Sequence, residues 1–138
     1  MKKNYIYTGA FIDQRILLGA VKSIKGDRLA KLIEFPHVTF QFKPETVPTP
    51  LFGEKVYVRV VGYGNDGKNE GLKVEAFAAN PLLVDMIKEI PVPHITVSTS
   101  ADGKPVDTAK LNFHRVEPFF MEMTFGGYTP EGVVLEKE

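Results

Sequence analysis

The sequence predicts an α+β fold of two lobes, built from duplicated strand-helix-strand units with antiparallel sheets around a central cleft. Three observations carry this expectation. Short β-branched and aromatic runs are interleaved with two stretches of three- and four-residue apolar spacing, so strands and helices alternate. Two stretches repeat each other: Ala10-Phe11-Ile12-Asp13 and Ala76-Phe77-Ala78-Ala79-Asn80 each open a helix that leads to Pro-His-aliphatic-Thr, at Pro36-His37-Val38-Thr39 and Pro93-His94-Ile95-Thr96. The chain has 138 residues, enough for one domain over 1–138 whose lobes share a core and tight for two independent domains.

Each element has a local reason. Tyr5 to Ile12 mixes β-branched, aromatic and small residues and reads as a strand. Asp13 then caps a helix carrying Leu17, Ala20, Val21 and Ile24 on one face, with Gly26 as its stop. After a mixed connector, Phe35 to Phe42 reads as a strand bounded by Pro36 and Pro44. The proline-rich stretch Glu45 to Pro50 reads as a loop. Lys55 to Tyr63 and Leu72 to Ala78 form a hairpin whose tip, Gly64 to Gly71, is rich in Gly, Asn and Asp. Asn80-Pro81 supplies a cap and a first-turn proline for a helix with Leu83, Met86, Ile87 and Ile90 on one face. Pro93 to Ser98 is the next strand, and Phe119 to Phe125 with Gly132 to Leu135 forms a last hairpin. Asp13 precedes His37 by 24 positions and Asn80 precedes His94 by 14, so the first unit carries an insertion between helix and strand.

Composition removes several classes of function. Seventeen basic and seventeen acidic side chains give a formal net charge of zero, without the basic surplus that long duplex nucleic acid demands. Single nucleotides remain open as ligands. Zero cysteine excludes disulfides, thiol catalysis and cysteine-containing metal sites. No apolar run resembles a signal peptide or membrane span, which leads to the expectation of a cytoplasmic monomer that needs no cofactor.

The chemistry resides in the repeated tetrapeptide. Alternate side chains of a strand share a face, so His37 and Thr39 project together, as do His94 and Thr96. If the two strands meet across a pseudo-twofold axis, one cleft acquires two imidazoles and two hydroxyls. One histidine can take a proton from an attacking water while the other gives one to a leaving oxygen, because an ordinary imidazole titrates near neutrality. The hydroxyls can donate to a phosphate on which charge builds. Either His-x-Thr alone would be unremarkable in a strand; two of three histidines in one repeated context are not. His114 lacks that context and reads as a surface or loop residue.

The motifs His37-Val38-Thr39-Phe40 and His94-Ile95-Thr96-Val97 resemble the signature of the two-histidine (2H) phosphoesterase superfamily, a His-x-Thr/Ser-x pair with a hydrophobic last position. Ser98-Thr99 and Asp102-Gly103-Lys104-Pro105-Val106 are similar to the stretch that follows the second motif in small cyclic phosphodiesterases and in the phosphodiesterase domain of tRNA ligases. The resemblance implies metal-independent cleavage of a 2′,3′-cyclic phosphate or related phosphodiester in a nucleotide or RNA end, with the histidines as acid and base and the threonines on the phosphate. Related phage enzymes open cyclic di- or trinucleotide immune signals, a role that would place the chain in a host cytoplasm.

Further substrate contacts are expected from Tyr7 and Phe11, which could stack a base, from Ser98 after the second motif, and from Lys43 and Lys104 beyond the two motifs. Tyr5 shares the face of Tyr7. The loops Glu45 to Pro50 and Gly64 to Gly71 are candidate lids. Two other classes stay open: a non-catalytic nucleotide-binding module, and a metal site using His37 and His94 with Glu117 or Glu122.

Overall fold

Asp13 caps the first helix as expected: its carboxylate accepts the Arg15 amide at 2.8 Å, and α1 (Gln14–Lys22) follows. In this computed structural model, which describes residues 4–137, the preceding strand is β1 (Tyr7–Phe11). The helix stops before Gly26, because Ser23 turns its hydroxyl and amide back onto the Ala20 carbonyl. The connector then holds a two-residue strand, β2 (Lys31–Leu32), before β3 (His37–Phe42). A 3-10 turn at Thr49–Leu51 leads to β4 (Lys55–Asn65) and β5 (Asn69–Ala78). Asn80 accepts the Leu82 amide at 2.9 Å and caps α2 (Pro81–Lys88). There follow β6 (His94–Thr99), a 3-10 segment Pro105–Lys110, β7 (His114–Thr129) and β8 (Gly132–Val134).

The hairpin and the last strand are longer than their composition suggested. Gly64 pairs with Gly71 and Asn65 with Glu70, leaving only Asp66-Gly67-Lys68 as the tip. Glycine is required at 64 and 71 for space: a Cβ on Gly64 would press on Leu111 at 3.1 Å, and one on Gly71 would overlap the Thr108 methyl group. Gly126 and Gly127 likewise sit inside β7, against Val134 and Tyr5.

The fold is α+β, with one eight-stranded antiparallel sheet in the order β2-β6-β5-β4-β7-β1-β3 and β8 on β7. Two separate sheets do not form, because β4 and β7 pair from Lys55↔Thr124 to Val60↔Phe119 and bind the halves into a continuous surface. Coming inward from either end of β6-β5-β4-β7-β1-β3, the path meets a His-x-Thr strand, then the strand before the preceding helix, then the strand that follows the other His-x-Thr strand in the chain. The two ends also approach each other, β3 touching β6, so the sheet curls.

One face of the sheet is apolar. Val56, Val58 and Val60 of β4, Met121, Met123 and Phe125 of β7, and Leu72 and Val74 of β5 are buried there with Ala10, Val38 and Ile95. Leu17 and Val21 of α1 and Leu83 of α2 complete this core. Each Val, Leu, Ile, Met or Phe side chain among them contributes roughly 1.5–3 kcal/mol of burial free energy.

The insertion after α1 crosses to the far edge of the sheet. Lys31 and Leu32 pair with Thr99 and Ser98 of β6, and Arg28 reaches the fully buried Glu70 at 2.9 Å. Glu70 also accepts from Tyr63 and Ser98. A buried carboxylate is tolerable only when satisfied in this way, so the cluster fastens the insertion to the half of the sheet that carries His94.

Candidate functional site

Both His-x-Thr strands carry a β-bulge at the same place. On β3, Thr39 faces Gly9 and Gln41 faces Thr8, leaving Phe40 as the extra residue. On β6, Thr96 faces Gly71 and Ser98 faces Glu70, leaving Val97 as the extra residue. The bulged position is thus the hydrophobic fourth residue of each motif. A glycine lies opposite each threonine: a Cβ on Gly9 would overlap the Val38 carbonyl oxygen, and one on Gly71 would come within 3.0 Å of the Ile95 carbonyl oxygen.

A bulge resets the alternation of faces, and here it decides which side chains reach the cleft. His37 and Thr39 remain on the cleft face, and Phe42 joins them; without the bulge Gln41 would stand there instead. Gln41 bonds to Thr8 at 3.1 Å. Ser98 is carried away in the same manner. It is fully buried, donates to Glu70 at 2.8 Å, accepts the Leu29 amide at 3.0 Å and is not among the residues that line the cleft.

His37 and His94 line one cleft of about 580 Å³ together with Thr39 and Thr96. Each ring is pinned in the same way: His37 Nδ1 lies 2.8 Å from the Phe35 carbonyl oxygen, and His94 Nδ1 lies 2.7 Å from that of Val92. A carbonyl can only accept, so both Nδ1 atoms carry the proton and both Nε2 atoms are the free nitrogens. Tyr7 adds its phenol oxygen at 3.3 Å from His37 Nδ1.

The environments of the two rings differ. His37 stacks on Tyr7 with centroids 4.5 Å apart and lies 5.6 Å from Phe11. Burial holds its imidazole below the ordinary value; the Phe35 hydrogen bond opposes this, and His94 adds a smaller push downward. Burial, with Tyr128 alongside, pushes the Tyr7 phenol far up, so that group stays protonated. The threonines differ as well. Thr96 Oγ1 lies 2.7 Å from Thr108 Oγ1 and 3.2 Å from the Pro105 carbonyl oxygen, whereas the Thr39 hydroxyl has no hydrogen-bond partner among the described residues.

No family model and no curated protein matches the chain.

The remaining predicted contacts divide. Tyr7 lines the cleft; Phe11 stacks behind it at 5.9 Å and supports it. Lys43 sits over the Phe42 ring at 5.4 Å, in a left-handed backbone conformation with φ 48°, outside the cleft lining. Lys104 contributes its carbonyl to Asn69 and does not line the cleft. Neither predicted lid contributes a lining residue. The walls come instead from Glu89 to Val92, just before the second motif, and from Pro105, Val106 and Ala109 after it. Apart from the histidines, the only ionisable lining side chains are Tyr7 and Glu89, and no lysine or arginine is among the described lining residues. Glu117 and Glu122 are not lining residues, and Glu122 pairs with Lys55 at 3.3 Å. His114 is exposed at the start of β7, edge-on to Tyr63.

The internal repeat also shifts. The flanking Ala-Phe pairs are not equivalent in the sheet, since Phe11 faces His37 whereas the residue facing His94 is Lys73, four positions before Phe77. Gly9 and Gly71 are the matching positions.

Proposed function

We propose that the chain is a metal-independent phosphodiesterase of the two-histidine type, acting on a singly charged phosphodiester such as a 2′,3′-cyclic phosphate of a nucleotide or RNA end. The observation that carries this reading is the pair of His-x-Thr strands at one cleft, each with its Nδ1 fixed by a carbonyl and its Nε2 free. The matched bulges and the mirrored strand order support descent from duplicated units. Binding alone would not call for two proton-transfer groups.

Water attacks phosphorus, and His37 Nε2 takes its proton as the new P–O bond forms. The bond to the leaving ribose oxygen breaks, and His94, protonated, gives that oxygen its proton. His37 suits the base because aromatic burial favours the neutral ring. Thr39 and Thr96 donate to the non-bridging oxygens, where charge accumulates. Walls without lysine or arginine among the described residues favour a monoanionic diester over a dianionic monoester, and hydrolysis then raises the charge of the product and aids its release.

A substrate panel under EDTA tests the reading: 2′,3′-cyclic mononucleotides, RNA ending in a cyclic phosphate, 3′,5′-cyclic mononucleotides, and cyclic di- and trinucleotides. At least one is consumed by the wild type, His37→Ala and His94→Ala abolish turnover, and Thr39→Ala or Thr96→Ala lowers it by about 10²–10³-fold. Full activity in either histidine variant, or activity lost to EDTA and restored by a divalent ion, would overturn it. Consumption of a cyclic di- or trinucleotide alone would assign the chain to the opening of immune signals.

A further inference from the structure

We infer that Asn69 and Thr108 are positioning residues that fix the Thr96 hydroxyl as a hydrogen-bond donor at the cleft. Asn69 and Thr108 are almost completely buried, at 2% and 0% exposure, and neither belongs to a motif. The Asn69 amide nitrogen donates to the Lys104 carbonyl at 2.6 Å and to Thr108 Oγ1 at 3.0 Å. Thr108 Oγ1 in turn lies 2.7 Å from Thr96 Oγ1, which lies 3.2 Å from the Pro105 carbonyl oxygen.

One end of this chain can only donate and the other can only accept. Every group is satisfied when the protons run from Asn69 to Thr108, from Thr108 to Thr96, and from Thr96 outward. Thr96 then has its acceptor side occupied and presents a proton. The outward link to Pro105 is the longest of the chain, and a charged phosphate oxygen is a stronger acceptor than an amide carbonyl. A bound phosphodiester therefore takes that proton over with little rearrangement. The backbone makes room for the relay: Gly71 clears the Thr108 methyl group, and a Cβ on Gly103 would come within 3.0 Å of Asn69 Oδ1. Thr39, on the other wing, has no such support, so the two hydroxyls are unequal.

This inference rests on the phosphodiesterase reading for its kinetic consequence, and the test separates the two. Three-bond couplings to the Thr96 methyl group report its rotamer without any substrate. They show one rotamer in the wild type and in Thr108→Ser, and averaging in Thr108→Val; an unchanged single rotamer in Thr108→Val overturns the positioning role. With a substrate from the panel, Thr108→Val lowers kcat by about tenfold with KM nearly unchanged, by analogy with losses of groups that orient a ligand from behind. Thr108→Ser restores the rate. In the Thr96→Val background Thr108→Val costs nothing further, because it acts only through Thr96. Additive losses in that cycle would make Thr108 merely structural. If the wild type consumes no member of the panel, the phosphodiesterase reading fails while the rotamer measurement still decides the positioning.

Discussion

Aromatic rings close on His37 from the side of β1, and the consequence is measurable as pH dependence. Burial lowers its folded-state pKa below the ordinary 6.5. The unfolded chain therefore takes up the proton first, and stability is full above about pH 6.5 and declines as pH falls from there toward the folded value. Urea unfolding between about pH 8 and 5 should show this decline in the wild type and a shallower one in His37→Gln. Equal slopes would mean that His37 does not carry it. The same protonation removes the proposed base, so kcat/KM falls on the acid side as well.

Paired strands place the threonines, and a pairing of this kind tolerates little added volume. Gly9→Ala puts a methyl group into the Val38 carbonyl and should destabilise the fold by about 2 kcal/mol or more. Gly26→Ala meets nothing within 4 Å and serves as the neutral comparison. Thermal melts of the two variants check this; equal melting temperatures would show that the bulge can relax. The helices, their caps and the two histidine strands were legible in sequence because each rests on a local signal: Asp13, Asn80-Pro81, and proline before the motif. The bulges were not. Strict alternation sends Ser98 toward the ligand and Phe42 away, and only the pairing of Gly9 with Thr39 and Gly71 with Thr96 reverses this. Glycine opposite each motif was the available signal, visible only once the register is known. The cleft walls at 89–92 and 105–109 escaped for a related reason, since their role comes from the curl that brings β3 to β6.

A molecule of zero formal charge whose cleft has no lysine or arginine among the described residues should bind by shape and hydrogen bonding. We expect kcat/KM on a cyclic mononucleotide to change by no more than about twofold between low and physiological salt, whereas a grip on several phosphates loses orders of magnitude. A steep salt dependence would show that cations outside the cleft, such as Lys43 and Lys104, steer the substrate. Among the described residues no helix is long and apolar enough to cross a membrane. The strand order has a further consequence, for the order of synthesis. The β1-β3 pair joins the rest of the sheet only through β7, where Tyr7 meets Tyr128. On the ribosome the His94 half can gather its neighbours β4 and β5 early, but the β1-β3 pair lacks its hydrogen-bonded neighbour until β7 has emerged. A chain stalled before β7 would hold both motifs but lack the strand through which their two halves pair into one sheet.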